Sequence, residues 1–269
     1  MKRRTACGKS LNRAEIIEVL VNALKPLDYV HAFWEGGAAA FNRIDEWSDI
    51  NVNLAVDDNK ATETFFAVEK ALNSLSSIEQ KVEIKHPLES GISQAFYKLE
   101  NASKYLLVDL AAFDLSSPDK FLEPETHGKS VFYFNKSDKI KIPTLNKNEL
   151  IKNLQKRLVD LKARFDMFNV FVQKEINRAN RLEAIDLYHR ITLTSLIEAL
   201  RIKHKPVHHE FRTRYVHYEL PSEILQKLER LYFVEDEEDL QEKYDEATKR
   251  FGETIAEINR NGVERLLTF

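Results

Sequence analysis

At 269 residues the chain has room for two modest domains or one large one. Apolar residues make up 43% and charged residues 31%, which excludes a disordered chain, and a net charge near −3 gives no bulk attraction to nucleic acid or an anionic membrane. No apolar run approaches the length of a bilayer span, and the one cysteine, Cys7, has no internal disulfide partner, so a cytoplasmic protein without a membrane partner is expected.

The basic start over residues 1–8, with no hydrophobic segment behind it, reads as a solvated terminus. Residues 10–24 carry Leu11, Ile16, Ile17, Leu20, Val21 and Leu24 at helical spacing, and Pro26 ends the pattern. A short strand over residues 28–34 runs into Gly36-Gly37, and residues 38–41 suit one or two helical turns. That would put the double glycine at a strand-to-helix junction, where unpaired backbone N–H groups bind anions.

The next strand, residues 50–56, places Asp49 and Asn51 on one face by alternation and Ile50 and Val52 on the other. A helix over 62–75 follows, then strands over 78–84, 95–99, 105–113 and 131–134, with Pro87 to Gly91 as a break. The run 105–113 is almost wholly apolar and reads as central, yet Asp109 interrupts it. A carboxylate in a buried strand is costly unless it is paired, hydrogen-bonded or metal-bound. Asp109 therefore reads either as a paired strand-end carboxylate or, with Asp49 and Asn51, as part of a site.

From Asn146 the periodicity becomes helical throughout. Helices are expected over 146–168, over 179–202 up to Pro206, after Pro221 and after an Asp236 cap, ending at Asn261-Gly262. Four such helices make a bundle. The predicted fold class is thus α+β: a mixed sheet with flanking helices in a domain over 1–145, then an all-α helical-bundle domain over 146–269. The acidic run 235–239 reads as a solvated helix start.

Between the second and third of these helices, residues 203–219 interleave four His, two Lys and two Arg with aromatics. Pro206 spoils a helical His204/His208 metal pair. The simplest reading is a basic loop packed on acidic helices. Lys205, Arg212 and Arg214 are the candidates for contact with a substrate phosphate or other anion.

The order Gly36-Gly37, Ser48-Asp49-Ile50-Asn51-Val52 and Val108-Asp109-Leu110 resembles the DNA-polymerase-β-like nucleotidyltransferase superfamily. That superfamily carries Gly-Gly or Gly-Ser after a strand, an Asp-apolar-Asp/Glu pair, and a third Asp on a later strand. The resemblance covers the N-terminal part. The helical C-terminal part is similar, in architecture only, to aminoglycoside and archaeal nucleotidyltransferases. It implies transfer of a nucleoside monophosphate from a nucleoside triphosphate, ATP being expected, to a hydroxyl of a small molecule or a protein. By resemblance Asp49 and Asp109 are catalytic, and Asp49, Asn51 and Asp109 hold Mg²⁺ (or Mn²⁺). Gly36, Gly37, Arg43 and Ser48 would bind the nucleotide phosphates. The expected partners are the triphosphate and a small-molecule acceptor, with nucleic acid not expected and self-association left open.

Asn51 departs from the family, which has an acid there. The amide keeps an oxygen ligand but removes a charge, so three readings stay open: one firmly held metal, a further carboxylate recruited, or a non-catalytic nucleotide-binding or regulatory protein. Arg201 and His208 also resemble, in spacing, the Arg…His motif of helical RNases, with Pro206 between them.

Overall fold

The computed structural model describes residues 10–263 and Arg265; the basic start and Cys7 lie outside the described residues. The chain divides into two compact units with the boundary between Leu145 and Asn146. The first unit is α+β and the second is helical, which is the expected class.

In the first unit, α1 (Arg13–Leu24) starts at an Asn12 N-cap that forms a reciprocal capping box with Glu15. Residues 10–12, expected in this helix, lie outside it, because Leu11 bridges to Ala102 instead. β1 (Val30–Glu35) leads directly through Gly36 into the single-turn α2 (Gly37–Ala40). β2 (Ile50–Val56), α3 (Ala61–Leu75) and β3 (Ile78–Ile84) follow. After a 3-10 turn at 88–90 come β4 (Ile92–Leu99), β5 (Leu107–Asp114), the short α4 (Pro124–His127) and β6 (Val131–Asn135).

The six strands form one sheet in the order β3-β4-β5-β2-β1-β6. β2 and β5 pair in parallel, and the other neighbours pair antiparallel. Two-residue alternation then sorts the faces. Ile50, Val52, Leu54, Val56, Val108, Leu110 and Ala112 bury against α1 and α3 through Ile16, Leu20, Leu24, Val68 and Leu72. The opposite face is covered over part of its length by Trp34, Ala55, Phe113, Leu122 and Ile140. The rest of that face carries the half-buried Asn51, Asp109 and Gln94.

The second unit contains α5 (Lys147–Phe168), α6 (Val170–Asn177) and α7 (Arg181–Leu187). A π turn (Tyr188–Leu193) joins α7 to α8 (Thr194–His204). A 3-10 segment at 206–211, the one-turn α9 (Val216–Glu219), α10 (Ser222–Tyr232) and α11 (Glu237–Asn261) complete it. Asp236 caps α11 by accepting the amide of Asp239, as expected, and Asn146 likewise caps α5 by accepting the amide of Glu149.

Three local expectations fail here. α6 replaces the expected connection after Phe168, and Ala179, expected to begin a helix, turns the chain at φ +55°. The π turn also breaks the expected continuous helix: the Thr194 hydroxyl donates to the His189 carbonyl five residues back, and the Tyr188 hydroxyl donates to the Leu231 carbonyl.

Leu110 lies at the centre of the sheet and is fully buried. Leu110→Ala should cost about 2–5 kcal/mol in urea unfolding followed by circular dichroism.

Candidate functional site

The site is built on the parallel pair. Asn51 and Asp109 are register partners on β2 and β5, and neighbouring strands run about 4.8 Å apart. Their side chains therefore stand side by side on the face away from α1 and α3. Asp49 lies one alternation step before Asn51, and its Oδ1 accepts the amide of Leu107 at 3.3 Å. Its carboxylate thus bridges to the first residue of β5.

Gly36 and Gly37 close over the same strand end. The Gly36 amide donates to the Asn51 carbonyl at 2.9 Å. A side chain at Gly37 would meet the Asn51 amide at 3.0 Å, and the backbone there is left-handed at φ +55°. Glycine is required on both counts. A side chain at Gly128 would meet the Ala40 carbonyl at 2.8 Å, so this glycine lets the 128–129 backbone reach the end of α2. The first amides of α2 have no intrahelical acceptor.

The two carboxylates are braced from different sides. Gln94 on β4 donates to Asp109 Oδ1 at 2.6 Å, and its own oxygen lies 2.9 Å from His86 Nε2. An amide oxygen only accepts, so His86 carries its proton on Nε2. On the Asp49 side, the guanidinium of Arg13 donates to the Asp49 carbonyl at 2.7 Å and to the Ser48 carbonyl at 3.4 Å. The same guanidinium pairs with Glu35, which is 2% exposed, and Tyr133 donates to Glu35 at 2.7 Å. Burial pulls the Arg13 pKa below its ordinary value, against the pull of the nearby Asp49 charge.

The structure thus gathers Gly36, Gly37, Asp49, Asn51 and Asp109 at one end of the sheet. Arg43 and Ser48 lie in the loop between α2 and β2. The Arg43 guanidinium sits 5.0 Å from the Phe41 ring centre. Ser48 donates to Asp45 Oδ1 at 2.7 Å and accepts the Asp45 amide at 2.9 Å, so its hydroxyl braces the loop. Arg13, Glu35, Gln94 and His86 went unpredicted. Glu35 had a signal, a carboxylate at the end of an apolar strand beside the double glycine. The other three carry no periodic or motif signal.

For Mg²⁺ the donor chemistry fits. Two carboxylates and an amide oxygen are hard ligands, and the two negative charges balance one divalent ion. Among the described residues no group of three or more His, Cys, Asp or Glu is arranged to hold a metal. Glu35 belongs to the other face of the sheet, with Arg13, and is not the recruited third acid.

Lys205, Arg212 and Arg214 lie in the second unit. The carbonyls of Arg212 and Arg214 accept from the Arg201 guanidinium, while their own side chains are exposed. Lys205 is half-buried at the end of α8, with its amide bonded to the Arg201 carbonyl. Arg201 and His208 are 0% and 1% exposed, and both hold Glu219, at 2.7 and 3.0 Å. His208 also stacks on Phe211 at 4.3 Å. The pair with RNase-like spacing is therefore enclosed in the interior of its unit, where it holds the 206–219 segment onto α8.

No protein-family model and no curated protein matches the chain. Among solved structures, an aminoglycoside 6-adenyltransferase from Bacillus subtilis aligns at 12% identity over 96% of this chain and 100% of that chain, with TM-score 0.34. A spectinomycin adenyltransferase from Enterococcus faecialis, solved with ATP and spectinomycin, aligns at 12% identity over 90% of this chain and 100% of that chain, also with TM-score 0.34. No described helix is long and apolar enough to cross a membrane.

Burial alone would raise the Glu219 pKa, but His208 and Arg201 overcome it and hold the carboxyl at about 2. A depressed carboxyl contributes stability above its unfolded pKa of about 4.3, and that contribution is lost as pH falls toward 2. Glu219→Gln should cost about 3–5 kcal/mol at neutral pH, because Arg201 is left buried without its counter-charge. Urea unfolding across the acid range should show a flatter pH dependence for the variant than for the native chain.

Proposed function

We propose that this protein is a nucleotidyltransferase that moves a nucleoside monophosphate, with ATP as the expected donor, to a hydroxyl of a small molecule or a protein. The observation that carries the reading is the register of Asn51 against Asp109 on adjacent parallel strands, with Asp49 one step before and Gly36-Gly37 closed over Asn51.

In this reading the α2 amides from Gly37 onward bind the triphosphate, and Arg43 supplies a cation beside them. Ser48 acts indirectly, by holding the loop with Asp45. Asp49, Asn51 and Asp109 would hold one Mg²⁺ or Mn²⁺, which when bound neutralises charge on the reacting phosphate oxygens. The acceptor hydroxyl attacks the α-phosphorus, forming a new O–P bond. The bond to the bridging oxygen breaks, and pyrophosphate leaves with that electron pair. Asp109 is the acceptor of the hydroxyl proton, and Gln94 fixes the orientation of its carboxylate.

Asn51 favours one competing reading, a non-catalytic nucleotide binder of the same architecture. Two carboxylates neutralise one divalent ion and leave a second uncompensated. Incubation with each labelled triphosphate, Mg²⁺ or Mn²⁺ and a metabolite pool separates the two. Transfer or pyrophosphate release supports the enzyme; nucleotide binding without turnover supports the binder; neither, in a folded sample, overturns both.

Asp109→Asn should lower the transfer rate by about 10²–10⁴-fold while the fold is retained. Asn51→Asp should tighten Mn²⁺ binding measured by titration calorimetry in the presence of nucleotide. Unchanged affinity would place Asn51 away from the metal.

A further inference from the structure

We propose that Arg13 is a positioning residue that sets the spacing between the glycine turn and Asp49, and through it the affinity of the site for a divalent ion with its nucleotide. The inference rests on the nucleotidyltransferase reading for its metal and nucleotide, but its geometry is independent of that reading.

Arg13 occupies the first position of α1. A cation there is opposed by the helix dipole and, half-buried, by desolvation. Helix formation alone gives no reason for it. What it gains is three acceptors around one guanidinium: Glu35, the Ser48 carbonyl and the Asp49 carbonyl. Glu35 is the last residue of β1 and is followed directly by Gly36-Gly37. Asp49 immediately precedes β2. A single planar fork therefore joins the two ends of the 36–48 excursion at its base.

Strand pairing does not do this job. The β1–β2 ladder ends at Glu35 opposite Val52, and the Gly36 amide reaches back to Asn51. Asp49 lies beyond both of these. Its carboxylate reaches β5 through the Leu107 amide, and its backbone is held by Arg13. The buried Glu35 is in turn held by Tyr133 on β6, so the fork is anchored to the sheet as well as to the helix. Rotation at Asp49 would move one metal ligand relative to Asn51 and Asp109. Groups that orient metal ligands typically change affinity by about 10–100-fold when removed.

The test uses the full chain and two readouts. The chain has two tryptophans, of which Trp34 is 1% exposed and Trp47 is 58% exposed, two residues before Asp49. Acrylamide quenching therefore reports on the loop the fork holds. Arg13→Gln should raise the quenching constant by about twofold or more, and should weaken Mn²⁺ binding in the presence of ATP by about 10-fold or more. Arg13→Lys keeps the charge but cannot bridge all three acceptors, so it should fall between the two and serves if Arg13→Gln does not fold.

A cooperative variant with native quenching and native Mn²⁺ affinity overturns the proposal. Loss of thermal stability with both readouts native would show a purely structural arginine and also overturns it. If the native protein itself binds no Mn²⁺ with ATP, the nucleotidyltransferase reading fails. Quenching then decides the positioning role alone: a rise in Arg13→Gln supports it, and an unchanged constant refutes it.

Discussion

The parallel pairing of β2 with β5 is the constraint on which the first unit depends. Parallel neighbours cannot be joined by a hairpin, so the chain must travel through α3, β3 and β4 before β5 can dock. That detour builds one flank of the sheet and supplies a helix for one of its faces. It also brings together residues far apart in sequence, Asn51 and Asp109, at one register position. A slip of one residue would turn Asp109 into the α1–α3 core and expose Val108 or Leu110. The apolar pattern of β5 therefore protects the register, and the register makes the polar cluster.

The sheet divides three buried or half-buried acids between its two faces. Asp109 and Asp49 belong to the face with Gln94, while Glu35 points to the helix side and is neutralised by Arg13. Were all three carboxylates on one face, their mutual repulsion would need more than one counter-ion. Asn51, between Asp49 and Asp109, adds no further charge to the polar face. The neutral amide at Asn51 and the opposite facing of Glu35 are thus parts of one electrostatic arrangement.

In the helical unit Glu219 sits between the buried Arg201 guanidinium and the buried His208 ring. Arg201 satisfies its donors on two loop carbonyls and one Glu219 oxygen, and His208 takes the other oxygen. The segment 203–219 is basic in composition, yet His208 is turned inward onto Glu219. Arg201 and His208 serve the packing of the segment against α8, while the side chains of Arg212 and Arg214 are exposed.

The sequence by itself determined the α+β class, most strand positions and the helix cap at Asp236. These follow from local rules: two- and 3.6-residue periodicity, capping chemistry and the breaks at Pro and Gly. It also singled out Gly36, Gly37, Asp49, Asn51 and Asp109, because a double glycine and isolated polar residues in apolar runs are local anomalies. Only the tertiary structure decided that Leu11 leaves α1 for a bridge to Ala102 and that residues 170–177 form a helix. It likewise decided that Arg13 and Gln94 hold the site from opposite sides, and that Arg201 and His208 are enclosed with Glu219. The physical reason is that a side chain's partner across the sheet or loop is set by strand order and register. No local pattern encodes which distant acceptor a guanidinium or an amide will meet.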